Sequence, residues 1–90
     1  MPRRLKNEGK VEANSCRNYL YDLGRLLLER ALEAKKERED AREKQESDFH
    51  AGKLLAYNEV ISLVQQQALA FQLPLEFLGL DKINPDKHLV

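Results

Sequence analysis

The chain has no tryptophan, one methionine and one cysteine, and only three prolines and four glycines among its 90 residues. A lone thiol, Cys16, excludes an intramolecular disulfide, and no Cys/His cluster has the spacing of a structural zinc site. Apolar runs are short. The longest, such as Leu26-Leu27-Leu28, fall far below the roughly twenty residues needed to span a bilayer. An excess of charge of either sign is also missing, because fifteen basic side chains balance fifteen acidic ones. No net field therefore favours nucleic acid or anionic lipid. Arg3, Arg4 and Lys6 would suit a basic leader, but polar residues follow where a secretion signal needs an apolar stretch. Together with the free thiol, this pattern points to a cytoplasmic protein with no membrane association.

What the chain does have is helical periodicity, interrupted once by charge. Residues 1–12 contain Pro2 and Gly9 and no apolar repeat, so they read as a flexible tail. A helix is then expected over about 14–46, with Asn14 or Ser15 as its N-cap. Cys16, Leu20, Leu23, Leu27, Ala31 and Ala34 recur at spacings of three and four, which aligns them along one stripe. Gly24 interrupts this helix at about 1 kcal/mol relative to alanine. It marks either close approach of a neighbouring helix or a tolerated surface glycine. From Lys35 to Glu46 almost every side chain is charged, and strong helix formers keep the segment helical as a solvated face. Ser47 and Asp48 are N-cap residues placed directly before Phe49, where the apolar pattern resumes, and the chain reversal is expected there.

A second helix over 48–71 carries Phe49, Ala56, Val60, Leu63 and Val64 on one side, overlapped by Leu54, Tyr57, Ile61, Ala68 and Phe71. So broad a stripe predicts more than one neighbour. Pro74 stops this helix and starts a short one over 74–78. Gly79 then offers a left-handed stop that folds Leu80 back. Leu73, Leu75, Phe77, Leu78 and Leu80 form an apolar cluster that must dock, either across the open end of its own bundle or into another protein's groove. Asn84-Pro85-Asp86 reads as a turn, and residues 81–90 as a tail.

The expected fold is all-α: a helical domain over 13–80 made of an antiparallel hairpin and a short C-terminal helix. A reversal at Ser47 sets Ala34 opposite Val60 and Leu27 opposite Gln67. It also leaves the charged half of the first helix beside Phe49 to Tyr57, so part of an apolar face stays wet. A reversal near Asp40 matches the stripes better but builds the turn from helix formers. Pairing of two hairpins into a four-helix bundle removes the conflict and is the favoured reading. A single helix from Asn14 to Phe71, about 87 Å long, is the runner-up as an extended coiled coil. Roughly sixty packable residues make a marginal core without such help.

Catalytic groups are sparse. His50 lies near Glu46 and Asp48, but the four-residue spacing from Glu46 differs from the Glu-x-x-His spacing of di-iron bundles, so it reads as a capping or surface histidine. Glu59 reads as either a buried partner of Tyr57 or a surface residue, most of Gln65-Gln66-Gln67 as solvated, and Cys16 as a small core residue. No nucleophile stands with a base and an orienting group. No enzyme, metal or cofactor is expected. The function expected is a self-associating helical interaction module in an adaptor or regulatory role, working through Leu20, Leu23, Leu27, Phe49, Ala56, Val60, Leu63, Phe71 and Phe77. The partner is a second copy, with another protein as a further possibility. The alternative is a nucleic-acid-associated regulator that uses Arg3, Arg4, Lys6 and Lys10.

Overall fold

The computed structural model describes residues 12–42 and 47–90. Two long helices, α1 (Ala13–Ala41) and α2 (Ser47–Ala70), pack against each other, followed by a 3-10 turn (Leu75–Leu78) and a one-turn helix α3 (Pro85–His88). The described residues contain no strand. α1 ends at Ala41 and α2 begins at Ser47, so the reversal lies between the two positions that the pattern allowed. The expected continuation of the first helix over 43–46 lies outside the described residues. So does the tail over 1–11.

The seam between α1 and α2 is built from small residues on one side and larger ones on the other. α1 buries Gly24, Ala31, Ala34 and Ala41, while α2 buries Leu54, Ile61 and Ala68, each seven residues from the next. A repeat of seven keeps the same stripes in contact along both helices. Short side chains on α1 admit Leu54 and Ile61, which are 2% and 0% exposed. The apolar stripe expected on α1 is therefore rotated. Cys16 and Leu23 are exposed, so the reading of Cys16 as a core residue is corrected, while Leu20 and Leu27 are half-buried.

Both ends of the hairpin carry local stop signals. α1 starts one residue before the expected caps: Glu12 occupies the cap position, its side chain makes no capping bond, and Asn14 and Ser15 fall inside the first turn. At the far end of α2, Gln72 adopts a left-handed φ of 60°. Its N–H donates to Leu69 O at 3.0 Å and that of Leu73 to Ala68 O at 2.8 Å, the paired bonds of a Schellman stop. Pro74 sits at the N-cap of the 3-10 turn instead of its first position. Gly79, at φ 67°, ends that turn as expected, and the Leu80 N–H returns to Leu75 O at 3.1 Å.

The apolar cluster after α2 docks on its own hairpin, with Leu78 and Leu80 buried and Leu73, Leu75 and Phe77 packed beside them. Gly24 is what lets it approach. A Cβ there would stand 1.8 Å from the Leu78 carbonyl oxygen, so the glycine marks close approach, here of the 3-10 turn's backbone. The last ten residues are not a tail. Asn84 caps α3 by accepting from the Asp86 N–H, Pro85 fills the first turn, and Leu89 is 1% exposed in the core. Two amides of α2 hold this segment by its backbone. Asn58 Nδ2 donates to Pro85 O at 2.8 Å and Leu89 O at 3.3 Å; Gln65 Nε2 donates to Ile83 O at 2.9 Å and Leu80 O at 3.1 Å.

Candidate functional site: an open apolar face

α2 has a second face. Phe49, Lys53, Ala56, Val60, Leu63 and Gln67 follow one another at alternating spacings of four and three, and Phe71 continues the line just past the helix end. This stripe lies beside the buried one formed by Leu54, Ile61 and Ala68. Nothing in the described residues covers it: Phe49 is 70% exposed, Leu63 59% and Phe71 73%. Its N-terminal half runs along the charged end of α1, where Lys53 Nζ donates to Glu37 Oε1 at 3.1 Å. The hydrogen bond and the charge of Glu37 hold the Lys53 ammonium above the ordinary lysine range.

The other half of the stripe widens into a groove of roughly 320 Å³ between α1 and α2. Leu20, Leu23 and Leu27 form one wall, Leu63, Val64 and Phe71 the other, and Gly24 and Leu78 are among the residues at its base. Among the described residues, Gln67 is the only polar side chain that lines it. The 3-10 turn crosses α1 at Gly24, where the Leu78 backbone lies against it, and Leu78 is among the groove's lining residues. The part of the interface expected to be wet was the N-terminal half of α2, where Phe49 indeed stands exposed. The larger apolar opening lies at the opposite end.

Eight of the nine residues singled out as interaction candidates share this face. Leu20, Leu23, Leu27, Leu63 and Phe71 line the groove, and Phe49, Ala56 and Val60 extend it along α2. Phe77 does not join them. It packs against the core, with the Arg17 guanidinium 4.4 Å above its ring. Leu55 and Leu69 are exposed on the other flank of α2, but Ser62 stands between them, so they form no continuous face.

His50 is half-buried. Its ring meets Phe49 edge-on at 5.2 Å, and its Nδ1 lies 3.9 Å from Glu37 Oε1. Among the described residues no group of three His, Cys, Asp or Glu side chains could hold a metal. Glu59 is exposed, and the buried polar contact falls instead to its neighbour Asn58, 7% exposed. Asn58 was legible only as a member of the seven-residue repeat with Leu54, Ile61 and Gln65. Gln66 and Gln67 are exposed while Gln65 is tied to the C-terminal segment. A wider cleft of mixed polarity beside the start of α1 is lined by Arg17, Tyr21, Asp22 and Glu76 among others. Arg3, Arg4, Lys6 and Lys10 lie outside the described residues. No described helix is long and apolar enough to cross a membrane.

No protein-family model matches the chain, and neither a curated protein nor a solved structure matches it.

Proposed function

We propose that the protein is a non-enzymatic helical interaction module that self-associates, in an adaptor or regulatory role, through the exposed face of α2 and the groove beside it. One observation carries this reading: a stripe from Phe49 to Phe71 at helix–helix spacing, polar only at Lys53 and Gln67 and left uncovered by the described residues. Scattered surface leucines are ordinary, but a mainly apolar face that runs the length of a helix and widens into an apolar groove marks a contact site. Burying it against another helix removes several apolar side chains from water at about 25 cal/mol per Å². Two hairpins joined in this way form a four-helix bundle.

Sedimentation equilibrium of the full chain over micromolar to millimolar concentration tests the reading. The expected result is a reversible rise to the mass of a dimer. A monomer at every concentration contradicts it.

A further inference from the structure

The open face is self-complementary when two copies run antiparallel. In an antiparallel helix pair, residues separated by four on one strand and three on the other interlock as knobs in holes. Placing Ala56 of one copy opposite Val60 of the other aligns Lys53 with Leu63 and Phe49 with Gln67. Gln67 lies in the middle of the groove, flanked by Leu63 and Phe71, with Leu20, Leu23 and Leu27 across from it. The most exposed apolar residue at one end of α2 thus meets the widest apolar opening at the other. A two-fold axis then makes the same contact twice.

We propose that the occupant of the groove is a second copy of this chain, bound antiparallel about an axis between Ala56 and Val60, so that Phe49 of each copy fills the groove of the other. This rests on the self-association proposed above and adds its geometry. Three features favour a second copy over a foreign helix. The chain itself supplies an aromatic anchor, Phe49, that its own fold leaves exposed. The two polar positions of the stripe fit the pairing: Lys53 enters already neutralised by Glu37 and lays its aliphatic stem over Leu63, while Gln67 is the one polar group under Phe49. The open area also favours a pair. Phe49 and Phe71, 70% and 73% exposed of the ~150–250 Å² that an aromatic side chain buries, together with the exposed parts of Val60, Leu63 and Leu23, contribute to the ~800 Å² per partner that a stable pair buries. An isologous contact of this kind closes at two copies and does not propagate.

Cross-linking reads the register directly. Lys53→Cys and Leu63→Cys are made separately in a Cys16→Ser background, and each is checked by sedimentation to be dimeric at the concentration used. In the proposed pair, like positions are ten residues apart along the helix, about 15 Å, beyond the roughly 7 Å reach of a disulfide. The unlike positions are adjacent. Mild oxidation should therefore cross-link the mixture and neither variant alone. A dimer in which either variant cross-links to itself, or in which the mixture does not cross-link, overturns the antiparallel arrangement and leaves self-association standing. A monomer overturns both. Phe49→Ala is a second check. Phe49 is exposed in the single chain, so its loss should weaken association on the order of 100-fold and leave the unfolding of the dilute chain unchanged. Unaltered association would contradict the proposal.

Discussion

The two faces of α2 are almost equally apolar and meet opposite fates. Leu54, Ile61 and Ala68 are between 0% and 4% exposed, whereas Phe49, Val60, Leu63 and Phe71 are between 42% and 73% exposed. The difference comes from α1. Its small residues Ala31 and Ala34 join the stripe of Leu54, Ile61 and Ala68 in one core cluster, while the other stripe of α2 lies outside that cluster. Hydrophobic periodicity therefore reports that a face will be buried, while the identity of the neighbour decides when and by what.

Substitutions at adjacent positions separate the two faces. Ile61→Ala should cost ~2–5 kcal/mol of stability in urea unfolding at any protein concentration, because it empties fully buried volume. Leu63→Ala, two residues on, should leave the dilute chain as stable as before and lower its unfolding temperature only at concentrations where it associates. Equal losses at both positions in dilute solution would break the comparison. Gly24→Ala drives a methyl group into the Leu78 carbonyl and should cost about 2–3 kcal/mol, with raised amide exchange over residues 75–80.

The polar residue embedded in each face sharpens the contrast. Asn58 lies in the buried stripe, and Asn58→Ala strips Pro85 and Leu89 of a donor; a loss of ~1–3 kcal/mol and faster proteolysis near residue 85 are expected. Gln72 holds a left-handed conformation that glycine adopts freely, so Gln72→Gly should raise stability by about 0.5–1 kcal/mol. Lys53 lies in the open stripe, and Lys53→Met should leave the urea midpoint of the dilute chain unchanged. Glu37 raises the Lys53 pKa, so any stability the pair contributes is complete below the ordinary lysine pKa and is lost only as pH climbs through the raised value. A flat stability profile for this pair between about pH 6 and pH 9 is the expected measurement.

Much of the architecture was legible in the residues. The two long helices, the short turn that follows Pro74 and the left-handed Gly79 each follow from local chemistry that acts over four or five residues. The part of the open face on α2 made of Phe49, Ala56, Val60 and Leu63 was also legible from spacing, whereas Phe71 was grouped with the buried stripe and the meeting with Leu20, Leu23 and Leu27 depends on the packing of the two helices. The core face was harder to separate from it, since Leu54 and Val60 differ in nothing that periodicity records. Gly24 could not be resolved from sequence, as the reason for a glycine there is a carbonyl fifty-four residues away. The C-terminal segment escaped for a similar cause. Asn58 and Gln65 bind its backbone oxygens, and every residue has one of those, so no side-chain pattern announces the contact.

The central claim is that the exposed face of α2 is an interface and not merely wet surface. Sedimentation equilibrium of Leu63→Glu beside the unsubstituted chain, with helicity checked by circular dichroism, tests it most directly. A folded monomer for Leu63→Glu at concentrations where the unsubstituted chain is a dimer is the predicted result. The same mass for both chains at every concentration would contradict it.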